Sequence, residues 1–370
     1  MIKAKIIKNS RGEKTTEVDY KGFKGSCPSG ASTGKTEEKK FKEKIENAVK
    51  DFNKISKQLE KLEIKEFDNL KYVEELLKKF GSNIHISTEF AILHAKGGYK
   101  WISNNKKFPK PLGNVVGGGA HLRGEGTNFQ EFLVVDNHSK TFLDSAFTNK
   151  KIHRELGEEF ESFDGFRREM TDEGAWAPKG IDNEDVLALV KKVARKNKAD
   201  IGLDIAASEF FENGKYKYNE FTLNRDEQID FVNRLIKKYN LYYVEDPLEE
   251  SDFDGFSHIN KKHLVCGDDL TTTHVDLLKK AVEKNSINSI IIKPNQVGSL
   301  IGMKDTVEYA KKNKIKTIFS HRSGETLDNA LAHLALGFSA DHIKISVFGK
   351  ERESKIDELI RLERSINSKA

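Results

Sequence analysis

Six residues close short apolar runs in the second half of the sequence, and their types are those of a charged site: Asp204, Glu245, Asp268, Lys293, His321 and Lys344. From Glu245 onward they recur every 23 to 28 residues or so, roughly the length of one strand-plus-helix unit. The run SIIIKP shows the pattern. Ile290, Ile291 and Ile292 pass straight into Lys293 and Pro294. Three consecutive β-branched residues read as a strand buried on both faces, and the proline stops it. One charged residue at a strand end is ordinarily just solvated. Six in register, set in polar clusters (VEDP, GDDL, SHRSGE), point to strand ends that meet at a common mouth.

Asp204, Glu245 and Asp268 together make a hard oxygen site of the kind that holds Mg²⁺ and leaves positions open for substrate oxygens. The competing reading is a structural ion-pair network with nearby lysines. Lys293 and Lys344 share the mouth. A lysine serves as a base only when its pKa is depressed, and a dication or a second ammonium nearby does that by disfavouring the charged form. A metal, a neutral lysine and basic groups for an anion point to proton abstraction α to a carboxylate.

A frame must bring these ends together. ADIGLDIA, LYYVEDP, HLVCGDD, SIIIKPN, KTIFSHRSG and HIKISV alternate with charged helical segments, one of which carries Val186, Val190 and Val193 on a single face. Repeated βα units imply a parallel sheet and, over about 250 residues, a (β/α)8 barrel. Residues 2–25 alternate weakly and predict a strand meander. CPSGASTGK (27–35) reads as a small-residue loop. Phe41, Ile45, Val49, Phe52, Ile55 and Leu59 fall at helical spacing, and a second helix is expected near 84–94. FPKPLGN (108–114) holds two of the six prolines and reads as a linker. The predicted class is α/β: an N-terminal α+β domain over 1–110 and a barrel whose strand ends carry the active site over 111–370.

The 370 residues include 63 basic and 58 acidic ones, interspersed rather than blocked, so nucleic acid is not an expected partner. Cys27 and Cys266 have no CxxC spacing and read as free thiols in a reducing compartment. No apolar run approaches the roughly 20 residues of a membrane span, and the opening residues lack the apolar core of a signal peptide. The expectation is a cytoplasmic protein with no membrane association.

Nearly the whole chain resembles the enolase family, motif by motif and in family order. NSRGEKTTEVDY is similar to the family's opening segment and PSGASTG (28–34) to its mobile loop. GGGAH (117–121), FQEF (129–132), DEGAWAP (172–178), LDIAASEF (203–210), VEDP, GDDLTTT, IIKPNQVGSL, SHRSGET and HIK follow, and ERESKIDELIRLE resembles the last helix. The resemblance implies an enolase-type barrel and the reversible dehydration of 2-phosphoglycerate to phosphoenolpyruvate, with two Mg²⁺ per site and a homodimer. It makes Lys293 the base that removes the C2 proton, Glu173 the acid at the departing C3 hydroxyl, and Glu131 its supporting carboxylate. Asp204, Glu245 and Asp268 become ligands of the first Mg²⁺. Ser32 joins the second when its loop closes. Arg322 and Ser323 match the phosphate binders, Lys344 the lysine near the substrate carboxylate, and His121 and His321 the active-site histidines. Two other functions fit less of the sequence: a related enzyme acting on another carboxylate, and a silent paralogue serving as a scaffold. NSRGEK lacks the family's usual Asn-Pro. HIKISVFGKER departs from the usual segment but keeps Lys344, Glu351 and Arg352, and the chain is shorter than a typical member.

Overall fold

A computed structural model describes residues 2–31, 34–121, 126–163 and 166–368. Strands β1 (Ile2–Lys8), β2 (Lys14–Tyr20) and β3 (Phe23–Ser26) form the expected antiparallel meander. Three helices follow: α1 (Ile45–Glu60), α2 (Leu70–Leu77) and α3 (Ser82–Ala95). In α1, Ala48, Phe52, Ser56 and Leu59 make the buried stripe, with Val49 and Ile55 at its edges and Phe41 ahead of the helix.

Helix α3 is buried on all sides from Ser82 to Leu93, because it lies between the meander and the barrel helices Pro294–Val297 and Ala330–Gly337. Its polar residues therefore need internal partners. Ser87 Oγ donates to Thr16 O at 2.9 Å, Asn83 Nδ2 to Thr15 Oγ1 at 3.0 Å and Thr88 Oγ1 to Ile84 O at 2.7 Å. Gly25 permits the approach of β3, since a Cβ there would stand 2.2 Å from Ala91 N and 2.3 Å from Ser87 O.

The second sheet closes into an eight-stranded barrel. Its strands are β4 (Lys110–Gly117), β5 (Glu131–Val135), β6 (Asp200–Asp204), β10 (Tyr243–Glu245), β11 (Leu264–Gly267), β12 (Ser289–Ile292), β13 (Lys316–Ser320) and β14 (His342–Ser346), with β14 pairing back to β4. A small sheet, β7 (Phe211–Glu212), β8 (Lys215–Lys217) and β9 (Thr222–Leu223), sits outside it. The uniform βα alternation expected from the sequence is broken once: β5 runs antiparallel to both neighbours. Two helices, Phe142–Phe160 and Asn183–Lys196, then separate it from β6. Because β5 starts at the mouth, its first residue, Glu131, lies opposite Asp204 at the end of β6.

Most of the segment read as a linker, FPKPLGN, is strand: residues 110–114 open β4. Pro111 is tolerated because pairing with β5 begins only at Leu112, so the missing N–H leaves no gap in that ladder. The isoleucine run is buried throughout, as its composition implies. Ile291 packs inside the barrel with Leu112, Leu133, Tyr243 and Ile318, while Ile290 and Ile292 join the core beneath the helices. Each such side chain contributes about 1.5–3 kcal/mol of burial. Both cysteines are buried and free. Among the described residues no helix is long and apolar enough to cross a membrane.

Gly25→Ala is expected to destabilise the protein by about 1–3 kcal/mol, since backbone rather than a movable side chain blocks the added methyl. Urea unfolding checks this; an unchanged midpoint would show that β3 and α3 can separate freely.

Candidate active site

The barrel mouth gathers His121, Glu131, Glu173, Asp204, Asp268, Lys293, His321, Arg322, Ser323 and Lys344 around one cavity. Glu245 lies buried directly beneath, at the end of β10. Ser32 falls outside the described residues. Lys344 is not at a strand end as the sequence suggested. It is the third residue of β14 and reaches up through the barrel.

Its ammonium is the centre of the site. Lys344 Nζ stands 2.8 Å from Asp204 Oδ2, 2.7 Å from Glu245 Oε2 and 3.1 Å from Glu131 Oε2. Burial disfavours the ammonium, but Asp204, Glu131 and Glu245 outweigh it and hold the pKa well above the ordinary lysine value. Glu245 Oε2 also accepts from Tyr243 Oη at 2.6 Å, and Asp204 Oδ2 from Gln130 Nε2 at 3.1 Å. Gln130 was not singled out from the sequence, although it sits inside FQEF.

Lys293 follows β12 in extended conformation, and Pro294 begins a short helix at its first position, where no N–H is required. The proline thus turns the chain and leaves the lysine facing the mouth. Its ammonium is ion-paired with Asp268, whose other oxygen accepts from Gln296 Nε2 at 2.9 Å. Burial pulls the Lys293 pKa down, yet the Asp268 carboxylate prevails and raises it. The direct carboxylate contact is the reason, and it makes the depressed lysine, which the sequence analysis tied to a dication or a second ammonium nearby, depend on Asp268 being drawn away. Asp246, of VEDP, braces the next loop by accepting from Asp268 N at 3.0 Å and Asp269 N at 2.7 Å.

A second cluster faces Lys344. His121 Nε2 lies 3.8 Å from Glu131 Oε1 and 3.7 Å from Glu173 Oε1, and His321 Nε2 lies 3.5 Å from Glu173 Oε2. Asn114 Nδ2 donates to Glu173 at 3.2 Å, and His121 Nδ1 contacts Asp172 at 3.1 Å. The two carboxyls are driven apart. Burial pushes Glu131 up to about 8, against Lys344 and with Glu173 and Asp204. Burial acts the same way on Glu173, but His121 above all, with Arg352 and Lys344, overcomes it and holds that carboxyl below its usual range. Of the pair, Glu131 is therefore the one that keeps a proton near neutral pH. Burial holds His321 neutral, at about 3.

Arg322 and Ser323 form the opposite wall. Arg322 Nη2 forks onto Glu37 at 2.9 and 3.1 Å, and Nη1 donates to Asn295 Oδ1 at 3.1 Å. Glu37 lies in a lysine- and glutamate-rich stretch that reads as a solvated surface, and nothing in that local pattern marks it. Arg352 anchors the wall from behind, donating to Ser323 O at 2.6 Å. The N-terminal loop closes over it: Ser29 and Gly324 exchange backbone hydrogen bonds, and Ala31 N donates to Ser323 Oγ.

The donor set fits a divalent cation. Glu245 Oε1 is buried without a hydrogen-bond partner, an arrangement that is costly for a carboxylate and that a hard cation would satisfy. At this mouth, among the described residues, the groups whose ligand atoms lie within 4.8 Å of one another are His121–Glu131–Glu173 and Asp246–Asp268–Asp269. Of the trio Asp204, Glu245 and Asp268, the first two are instead bridged by Lys344, and Asp268 pairs with Lys293. What joins these residues in the structure is thus the ion-pair network, the competing reading of the sequence analysis.

Residues 105–370 match the family model described as "Enolase, C-terminal TIM barrel domain". The chain belongs to the enolase family. It is 37% identical to an enolase of Thermoplasma acidophilum, an alignment covering 99% of this chain and 98% of the relative. Enolases of Archaeoglobus fulgidus (35% identical; 97% and 95% covered) and Picrophilus torridus (37%; 97% of each) are similarly related. The family likeness therefore extends through the N-terminal meander and helices as well as the barrel.

His121 makes the site a determinant of stability against pH. Burial opposes its charge, but Glu173, Asp172 and Glu131 raise it to about 9. The folded protein holds a proton that the unfolded chain releases near pH 6.5, so this stabilisation is complete below about 6.5 and gone above about 9. Glu131, at about 8, acts with the same sign. Urea midpoints of chelator-treated protein should fall from pH 6.5 to 9, and less steeply in His121→Asn. Parallel curves for the two proteins would contradict this electrostatic account.

Proposed function

We propose that this chain catalyses the reversible dehydration of 2-phosphoglycerate to phosphoenolpyruvate. One observation carries the reading: a lysine, a carboxylate–histidine cluster and an arginine–serine wall converge on one cavity in an enolase-family frame. Lys293 Nζ takes the C2 proton. Its ion pair with Asp268 must first loosen. Were Asp268 drawn away to hold a cation, Arg322 and Lys344 would remain to favour the neutral amine. Glu173 delivers a proton to the departing C3 hydroxyl, from the store that Glu131 and His121 hold beside it. Arg322 exchanges the Glu37 carboxylate for the substrate phosphate, whose oxygens suit the guanidinium fork, with Ser323 alongside. Lys344 and His321 line the substrate carboxylate side.

Asp204, Glu245 and Asp268 would hold one Mg²⁺, and the resemblance assigns Ser32 to a second. Bound there, the cations supply compensation for the negative charge that develops on the substrate carboxylate as the proton leaves. The same reading takes residues 1–110 as a capping domain and 111–370 as the catalytic barrel, of a cytoplasmic homodimer. A non-phosphorylated acid would have no use for Arg322 and Ser323, which favours a phosphorylated substrate.

Formation of phosphoenolpyruvate, followed by its ultraviolet absorbance, should be seen with Mg²⁺ and vanish with excess EDTA. Lys293→Ala should lower turnover by about 10²–10⁴-fold while calorimetry still detects metal-dependent substrate binding. A Lys293→Ala protein with full turnover would remove Lys293 from the role of base. A folded wild-type protein inactive in both conditions would overturn the reaction itself.

A further inference from the structure

A second constellation lies away from the mouth, where α2 and α3 meet the barrel. Glu74, His85 and Glu89 each bring a potential ligand atom within 4.8 Å of the others. Glu74 is on α2; His85 and Glu89 are four residues apart on α3 and share one helix face. The helix Leu300–Lys312 closes the third side, with Leu300 N donating to Glu89 Oε2 at 2.8 Å and Ile301 N to Glu74 Oε1 at 3.2 Å.

Two atoms are left over. Glu89 is fully buried, and its Oε1 has no hydrogen-bond partner; neither has Nε2 of the buried His85. They face each other at 3.8 Å, too far apart for a hydrogen bond. A buried acceptor and an imidazole nitrogen left unsatisfied side by side are costly unless something bonds both. Neither has a part in the proposed reaction. The Lys42 ammonium acts on His85 and opposes a cation; burial raises both carboxyls, as do Glu74 acting on Glu89 and Asp305 on Glu74, so the pair favours a proton or a cation between them. Glu74 is only half-buried and offers the way in from solvent.

We propose that Glu74, His85 and Glu89 bind a transition-metal dication of the zinc class, separate from the active site, and so tie α2 and α3 to the barrel helix Leu300–Lys312. One imidazole and two carboxylates match the ligand types and the roughly 2.0–2.2 Å bonds of zinc, with a fourth position for water. They supply too few oxygens for calcium, and magnesium binds nitrogen poorly. A small inward movement of the side chains closes the observed spacing.

The test uses metal-stripped full-length protein in excess Mg²⁺, which occupies the oxygen ligands of the mouth, titrated with Co²⁺ and then Zn²⁺. One Co²⁺ per chain should bind with the intense visible absorption of a four-coordinate site, and Zn²⁺ should displace it and raise the melting temperature. His85→Ala and Glu89→Gln should lose both the band and the thermal shift, with activity in Mg²⁺ unchanged. Should those variants fail to fold, Glu74→Gln, at the solvent edge, should bind Co²⁺ about tenfold or more weakly. Only weak six-coordinate absorption, or the same Co²⁺ binding in wild type and variants, would overturn the proposal and leave a buried water as the bridge between His85 and Glu89.

Discussion

The ammonium of Lys344 stands within 3.1 Å of three buried carboxylates, and the barrel mouth is arranged around that contact. Taking a charge out of water costs several kcal/mol, so the ammonium and the ionised carboxylates around it are tolerable only together. Lys344 can serve all three because it projects from the middle of β14 into the space between Glu131 on β5, Asp204 on β6 and Glu245 on β10. Even so, the pairing is incomplete, since Glu245 Oε1 remains without a donor. A mouth that carries more carboxylate than ammonium is built to accept a dication. The same excess drives neighbouring carboxyls such as Glu131 towards the protonated form.

The antiparallel strand β5 is what makes the cluster possible. In a fully parallel barrel every strand reaches the mouth with its C-terminal end, and the residue before each loop is the one presented there. Reversing β5 presents its first residue instead. Glu131 thereby lies opposite Asp204, within reach of Lys344 and His121. Two carboxylates a strand apart then share a lysine on one side, and Glu131 shares an imidazole with Glu173 on the other. That geometry separates their proton affinities.

The segment ahead of the barrel completes the wall that the barrel begins. Ser29 pairs with Gly324, Glu37 fills the fork of Arg322, and Arg352 pins the carbonyl of Ser323 from the far side. A helix buried on every side, α3, holds the two halves in place, and the close approach at Gly25 ties it to the meander. The geometry of that wall is therefore set by how the N-terminal segment packs on the barrel.

The barrel was legible because its strands obey local rules. Three isoleucines followed by Lys-Pro can only be a buried strand that ends abruptly, and repetition of that pattern at one-unit spacing leaves few other folds. The charged positions gathered at the mouth were legible for the same reason, and the motif order of the family tied them together. Glu37, Gln130 and Asp246 carry no such local mark; each acquires its role from a residue distant in the chain or across a strand. The proline-rich opening of β4 read as a linker because a strand that pairs with the far end of the sequence leaves no local trace of its partner. The direction of β5, the reach of Lys344 and the raised pKa of Lys293 were likewise decided only by the folded chain. Side-chain type and periodicity are properties of neighbours along the sequence, whereas strand polarity, burial and the distance between charges are set by what packs against what.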